Sequence, residues 1–570
     1  MTKHDHGRGQ TVRSALRRNI PIIDWLSQYD RAWLRTDILA GIIAWGTTVP
    51  TAMGFAQIAG LPIQAGLYAA LVALLAYAVF GSSPQLKVET SASMAIISAA
   101  IVAPLALGDT SYYVTLSAAL ALVVGLLLIA AGLLRLSFIA DFLAQPIVLG
   151  FLFGIAVIVI IGQLPNLFGI TLDADKPLAQ IWELITSLGE TNPWTLAISV
   201  SAFLILIMFK RFLPKLPGVL FMLLLGVVAG LLLNLEQHGV ELVGFIPSGL
   251  PSFKFPLIQP KDLIYLTVGA VSMVFVALAD SLGTARAFAA ENHYQIDPDQ
   301  ELLAIGAANV GAGLFQGFSV GANSATTSSA NSAKVKTQLA SIVTTLLIVG
   351  TLATQIEMLS YLPEAVLSVA VIMAVSHMLK TAELRRYYAT RRIDFTLAIV
   401  TLVGVLVTDI LTGLLIAVFL SLAIVLYRSS RPHLAVMGKI PDRRVYGDVE
   451  KHPEAEPVWG LLLLRLDTAL YFANANTALK EIKDQILKYD DSSTTVIIDL
   501  GASADLDIAS LDMLYTLLNH LEERNIRLAL ANVHNETRAR MEQAGLMDKI
   551  GSKKIYLDMA EAVEDLKPNL

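Results

Sequence analysis

Runs of about 17–25 apolar residues recur along this chain, and no other feature constrains its fold as strongly. A stretch of that length crosses a hydrocarbon core of about 30 Å as a helix. In lipid, only helices and closed barrels satisfy their own backbone hydrogen bonds. Residues 112–134, 194–209, 216–233, 336–353 and 363–379 are such runs. Residues 393–427 are nearly continuous, long enough for two crossings joined by a tight turn near Asp409 and Gly413. The 570 residues are 55% hydrophobic and 15% charged, against about 45–50% and about 25% in soluble domains. The chain reads as an α-helical polytopic membrane protein.

Charge is spread unevenly. Residues 430–570 hold 17 Lys/Arg and 23 Asp/Glu, which leaves 24 of each sign in residues 1–429. The shift marks a boundary near residue 430, just after Arg428 and Arg431. Three regions follow: an N-terminal segment 1–35, a membrane region 36–429 and a polar tail 430–570. The first 35 residues carry seven Lys/Arg against three Asp and lack the compact apolar core of a cleavable signal peptide. Cysteine is absent, which excludes disulfides and thiolate metal sites. Short loops rich in Lys and Arg stay on the cytoplasmic side. The basic N-terminus, KRFLPK at 210–215 and RRYYATRR at 385–392 belong there, and the loops at 164–192 and 235–262 face outward. Five crossings before the loop at 164–192 reconcile these assignments, with both termini cytoplasmic.

Two segments do not fit a plain spanning helix. VETSASMAIISAAIV (88–102) follows an extended-looking QLKV, and SVGANSATTSSANSAKV (319–335) is almost entirely small and polar. Irregular backbone at membrane depth is tolerated only where it lines a cavity or is buried in protein. Each lies roughly 50–55 residues after the start of a long helix, 37–59 and 264–289. Interrupted segments at matching places in two halves point to inverted repeats with a binding site near the midplane. Helix N-termini there attract anions through free N–H groups and the positive end of the dipole. Ser91, Ser93, Asn323, Ser324, Thr326 and Thr327 add hydroxyl and amide donors.

FVALADSLGTARAF (275–288) places a carboxylate in an apolar run. An intramembrane acid is costly and generally faces a cavity or a partner. Asp280 and Thr284 are i and i+4, on one helix face, with Ser272 and Val276 on the preceding turns. Their hard oxygens suit a sodium ion or a proton, and Arg286 sits nearer the cytoplasmic end, where it snorkels. A structural role for Asp280, bonded to a neighbouring helix, is the alternative.

The tail alternates strand-like VWGLLLLRL, TTVIIDL (494–500), IRLALANV (526–533) and KKIYL (553–557) with amphipathic stretches at 474–488, 507–523, 535–545 and 559–566. That is a soluble α/β pattern. No GxxxxGK[ST], HExxH or GxSxG occurs. These absences speak against an ATP-driven pump and against an enzyme, and nothing indicates nucleic-acid binding. A secondary carrier or channel remains, with no resident cofactor.

Several long motifs in order resemble the SulP family, the sulfate-permease and anion-exchanger superfamily. DILAGIIAWGTTVPTAMGFAQIAGLPIQAGLY (37–68) resembles the family's first helix and FLAQPIVLGFLFGIAVIVIIGQLP its fifth. ARAFAAENHYQIDPDQELLAIGAANVGAGLFQGF (285–318) resembles the stretch after the eighth. ALYFANANTALKEI (469–482) and TTVIIDLGASADLDIASLDML (494–514) are similar to its C-terminal STAS domain. The resemblance implies two inverted repeats of seven transmembrane segments, forming core and gate domains, followed by an α/β STAS domain at 430–570. It further implies an anion between the half-helices of segments three and ten, Asp280 at the acidic position of segment eight, elevator-like movement and a homodimer. Carried onto this chain, the substrate site comprises Thr51, Phe55, Thr90, Ser91, Ala92, Ser93, Asn323, Ser324, Ala325, Thr326 and Thr327, with ion coupling at Asp280 and Thr284.

The chain departs from the family at telling places. Thr51 stands for a glutamine, Glu89-Thr90 for Gly-Pro, and Ala325-Thr326-Thr327 for Ser-Arg-Thr. Losing an arginine and gaining a carboxylate favours a monoanion, or an anion accompanied by a cation, over sulfate alone. In the tail, Ala509 occupies the usual phospho-acceptor place, with Ser510 next to it. The expected protein is therefore a proton- or sodium-coupled symporter of a small inorganic or carboxylic anion in the cell membrane, its tail docking a cytoplasmic protein. A nucleobase-permease-like carrier of a neutral substrate, and a membrane regulator signalling through its tail, are the rivals.

Overall fold

The computed structural model describes residues 20–106, 108–142, 144–174, 176–212, 218–244, 249–408, 410–489 and 493–567. The expected turn residue Asp409, residues 1–19 of the N-terminal segment, 213–215 of KRFLPK, and positions 175 and 245–248 of the two outer loops lie outside them. Two compact units divide between Ser421 and Leu422, inside a helix that runs on to Ser429.

The first unit is helical. Its main elements are α1 (Leu34–Ile58), α2 (Ile63–Phe80), β1 (Val88–Glu89), α3 (Ala92–Ala106), α4 (Thr110–Leu133), α5 (Gln145–Phe168), α6 (Pro193–Phe212) and α7 (Gly218–Leu232). They continue with α8 (Pro260–Glu291), α9 (Pro298–Leu314), β2 (Gly321–Ala322), α10 (Ser324–Ser332), α11 (Leu339–Gly350), α12 (Glu364–Ser376), α13 (Arg392–Val407) and α14 (Ile410–Ser429). Among the described residues each apolar run expected to be helical contains a helix over most of its length, and 393–427 divides into two helices.

Six helical stretches among the described residues are long and apolar enough to cross a membrane. Leu204, Ile207, Leu224, Val228, Ile264 and Val268 turn outward and are exposed. In water such a surface would bind itself; in lipid it costs nothing. Inside, small residues let backbones approach. A Cβ on Gly125 of α4 would sit 2.6 Å from the Val310 nitrogen of α9, and one on Gly306 would sit 2.8 Å from the Gly125 carbonyl. This is the small-residue packing that replaces the hydrophobic drive between helices in a bilayer. Tyr77, Met94, Leu120, Met273, Ile305 and Phe318 join α2, α3, α4, α8 and α9 in one core cluster.

The second unit is a six-stranded sheet with helices. Its strands are β3 (Leu434–Lys439), β4 (Tyr446–Asp448), β5 (Gly460–Leu466), β6 (Ser493–Asp499), β7 (Arg527–Ala531) and β8 (Ile555–Tyr556), in the order β4-β3-β5-β6-β7-β8. β5 to β8 are parallel, and β3 runs antiparallel to both its neighbours. α15 (Ala475–Tyr489), α16 (Ile508–Glu522), α17 (Asn535–Gln543) and α18 (Met559–Leu566) follow in turn after β5, β6, β7 and β8. Alternation decides the layers: Leu462, Leu464, Val496, Ile498, Leu528 and Leu530 pack with α15 and α16, while Leu461, Leu463, Ile497 and Ala529 pack with α18. The four expected strands and four expected helices all form. β3 and β4 are additional: β4 has only three residues, and β3 (LAVMGK) carries no clear alternation to mark it as a strand without its partners.

Candidate functional site

β1 and β2 pair antiparallel, Val88 opposite Ala322 and Glu89 opposite Gly321. This two-residue ribbon brings the N-termini of α3 and α10 together. α3 has 15 residues and α10 nine, about 22 Å and about 13 Å long, so neither crosses the hydrocarbon alone. Extended backbone at that depth needs partners, and side chains supply them. Asn309 accepts from Ser319 Oγ at 2.7 Å and Val320 N–H at 3.0 Å, and donates to the Val320 carbonyl at 2.9 Å. Gln338 donates to the carbonyls of Ser83 and Leu86 at 2.6 and 2.9 Å. Asn323 caps α10, its Oδ1 accepting from the N–H groups of Ala325 and Thr326 at 3.0 and 3.2 Å. Its Nδ2 donates to the Thr90 carbonyl at 3.2 Å, so one side chain binds both approaches.

α8 docks on this junction through three polar residues. Ser281 Oγ accepts from Ala322 N–H at 3.0 Å, Asp280 Oδ2 accepts from Ser93 Oγ at 3.0 Å, and Thr284 Oγ1 lies 3.1 Å from Ser324 Oγ. Asp280 and Thr284 thus face α3 and α10 respectively, as i and i+4 on one face. The N–H groups of Ala92, Ser93 and Ser324 meet no acceptor among the described residues. They are free donors at two converging helix N-termini.

Between these groups lies a cavity of about 20 Å³, bounded by Ser91, Ala92, Ser93, Asp280, Asn323 and Ser324, with Phe55, Ala322, Ala374, His377 and Met378 completing its wall. That is room for about one water-sized group. It adjoins a vestibule of about 670 Å³ that shares Asp280, Ser324, His377 and Met378 and is also lined by Thr284, Arg286, Lys380, Glu383 and Arg386. Three cations against Glu383 and Asp280 favour anions at this mouth.

The structure gathers eight of the thirteen residues that sequence singled out: Phe55, Ser91, Ala92, Ser93, Asp280, Asn323 and Ser324 line the small cavity, and Thr284 the vestibule beside it. Thr51, Thr90, Ala325, Thr326 and Thr327 line neither space. Thr51 Oγ1 donates to the Thr47 and Thr48 carbonyls at 2.9 and 3.2 Å, repairing its own helix beside Pro50. Thr327 Oγ1 accepts from Lys87 N–H at 3.0 Å and donates to the Asn323 carbonyl at 2.7 Å, so it braces the ribbon. Ala325 gives its N–H to the Asn323 cap, and the Thr326 side chain turns toward Glu89. The Thr90 hydroxyl is buried and unbonded. His377 and Met378, at the end of α12, were not visible as site residues: in sequence they only close an apolar run.

In the second unit, Asp507 caps α16 and accepts from Ser510 N–H, Ser510 Oγ and Phe472 N–H at 2.9, 2.7 and 2.7 Å. Burial pushes its carboxyl up, but these hydrogen bonds outweigh that and hold it below its ordinary range. Ser510 is buried with its hydroxyl engaged, so it does not offer a phosphorylation site beside Ala509.

Residues 34–401 match the sulfate permease family, and residues 448–562 match the STAS domain. A probable sulfate transporter of Mycobacterium tuberculosis is 34% identical over 537 residues, 94% of this chain and 96% of that protein. The chloroplastic sulfate transporter 4.1 of Arabidopsis thaliana is 28% identical, over 95% of this chain and 82% of its own length. The murine Solute Carrier 26 family member A9 anion transporter, in its inward-facing state, has a similar fold, with a TM-score of 0.88 at 20% identity over 100% of this chain and 96% of that one. The transmembrane domain of a cyanobacterium bicarbonate transporter matches with a TM-score of 0.60 at 21% identity, over 69% of this chain and 98% of that one.

Proposed function

This chain belongs to the sulfate permease family and carries a C-terminal STAS domain, and from that premise we propose that it is a multi-pass secondary carrier of a small anion, coupled to a proton or sodium ion. The observation that carries this reading is the convergence of two half-helices on one small cavity, with Asp280 of a third helix in its wall. The anion is received by the N–H groups of Ala92, Ser93 and Ser324 and by neighbouring hydroxyls, in the positive field of two helix N-termini. Asp280, with Thr284, takes the cation. The coupling is electrostatic. Two unit negative charges about 4 Å apart repel by about 4 kcal/mol at an effective dielectric near 20. An ionised Asp280 therefore keeps the anion out, and a proton or sodium ion on Asp280 admits it.

The substrate belongs to the sulfate, bicarbonate or dicarboxylate class. The names of the relatives favour sulfate. The small cavity, with Asp280 and no lysine or arginine in its wall, favours a monoanion or a dianion that travels with its cation. The same reading has both termini in the cytoplasm of a cell membrane, the basic vestibule open to that side, and two inverted halves of seven segments moving as a core against a gate. It also has the carrier as a homodimer, with the STAS domain docking a cytoplasmic protein.

Uptake of labelled sulfate, bicarbonate and fumarate into proteoliposomes tests it, each with an inward proton gradient, an inward sodium gradient or neither. One anion accumulating under one gradient, with that dependence lost in Asp280→Asn, is the expected result. No movement of any anion under any gradient removes the proposal.

A further inference from the structure

Glu89 is wholly buried, and neither of its carboxylate oxygens has a hydrogen-bond partner. Thr48 of α1, Thr326 of α10 and the amide of Asn323 face it, yet the two threonine hydroxyls are buried and none of the three makes a hydrogen bond of good geometry to it. Four hard oxygens thus converge from three elements without satisfying one another. None of Glu89, Thr48 and Thr326 lines the cavity or the vestibule at Asp280.

The surrounding charges do not balance. Lys87, two residues before Glu89, is also wholly buried, and its Nζ donates to Ser341 Oγ at 2.8 Å. Its field reaches both Glu89 and Asp37, but no salt bridge joins it to either acid among the described residues. Asp37 is amply bonded, accepting from Lys336 N–H at 2.7 Å, Thr337 N–H at 3.2 Å and Thr337 Oγ1 at 2.7 Å. Two buried acids and one buried base leave one negative charge over, and the acid without hydrogen bonds is Glu89.

We propose that Glu89, Thr48 and Thr326 form a binding site for one monovalent cation of sodium size, separate from Asp280 and built against α1. One carboxylate and two neutral hydroxyls match a single positive charge, and a divalent ion would overshoot it. A proton on Glu89 would cancel the charge but supply one donor; a cation draws all four oxygens together. Bound there, it ties α1 to the ribbon that positions both half-helices and adds positive charge behind their N-termini. Sodium at this site therefore tightens anion binding without touching the anion.

The test is binding of labelled sodium to the purified full-length protein in lipid nanodiscs, without any anion, so that it stands or falls apart from the transport reading. Native protein is compared with Glu89→Gln, Thr326→Val and Asp280→Asn, each checked for monodispersity. Glu89→Gln is expected to lose one sodium equivalent per chain that Asp280→Asn keeps, and Thr326→Val to weaken that equivalent about tenfold. Thr326→Val removes one hydroxyl and keeps the shape, so it carries the test if Glu89→Gln fails to fold. Full sodium binding by Glu89→Gln, unchanged affinity in Thr326→Val, or complete loss of sodium in Asp280→Asn overturns the proposal. So does a native chain that binds no sodium.

Discussion

Glu301 and Asp280 are both carboxylates inside the membrane unit, and the protein treats them in opposite ways. Glu301 accepts from the Tyr77 hydroxyl at 2.6 Å, Ser82 Oγ at 2.6 Å, Ser82 N–H at 2.9 Å and Ser83 N–H at 3.2 Å, and no cavity described above touches it. It pins the start of α9 to the exit of α2. Asp280 accepts one hydrogen bond, from Ser93, and borders open space. An acid whose lone pairs are all engaged holds structure; an acid left with spare lone pairs at a cavity is available to a ligand. The count of partners, together with the open space at Asp280, separates the two roles.

The largest effect expected from this contrast is at Glu301. Glu301→Ala leaves the Tyr77, Ser82 and Ser83 donors without their acceptor, and should lower stability by about 3 kcal/mol or more. Thermal unfolding and size-exclusion behaviour of the purified protein measure it, and native-like stability would break the contrast at its structural end. Asp280→Asn should stay within about 1 kcal/mol of native stability while gradient-driven anion accumulation falls by about 5–150-fold, the range of a coupling free energy of about 1–3 kcal/mol. A variant that instead unfolds would make Asp280 another structural acid.

Ser93→Ala removes the one hydrogen bond that Asp280 accepts among the described residues, worth about 1 kcal/mol. The gradient dependence of uptake should weaken about fivefold with the fold intact, read in the same proteoliposomes. Asp507 extends the rule to a satisfied acid in the α/β unit. Asp507→Ala should cost about 1 kcal/mol as a lost N-cap, seen as faster hydrogen exchange in α16 of the full-length protein. Because folding lowers the pKa of Asp507, its contribution is present above the ordinary carboxylate range and is lost as pH falls below it. An exchange rate indifferent to acid would deny it that role. The smallest effect belongs to Thr51. Its hydroxyl serves its own helix, so Thr51→Val should change stability by less than about 0.5 kcal/mol and leave anion affinity alone. A loss of affinity would move Thr51 back into the site.

Much of this was legible in the residues themselves. Apolar run length announces the membrane helices, period-two and helical alternation announce most of the second unit, and an acid inside FVALADSLGTARAF announces Asp280. These signals are local: each depends on what a segment of one helix or strand must present to lipid, water or core. The two broken segments were also visible as small and polar stretches where apolar ones belong.

What lay beyond the sequence depends on which distant segments meet. The pairing of Val88 with Ala322, the arrival of His377 at the cavity and the strands β3 and β4 exist only through partners remote in the chain. The direction a side chain takes is of the same kind. Thr51 and Thr327 turn to satisfy nearby backbone, while Thr326 turns to Glu89. Composition and period thus determined by themselves that this chain crosses a membrane, where its helices run and that its tail is α/β, because burial in lipid or core is a demand on each segment separately. Tertiary structure alone decided which polar atoms are satisfied and which are left open for a ligand, because a hydrogen bond needs both partners in place.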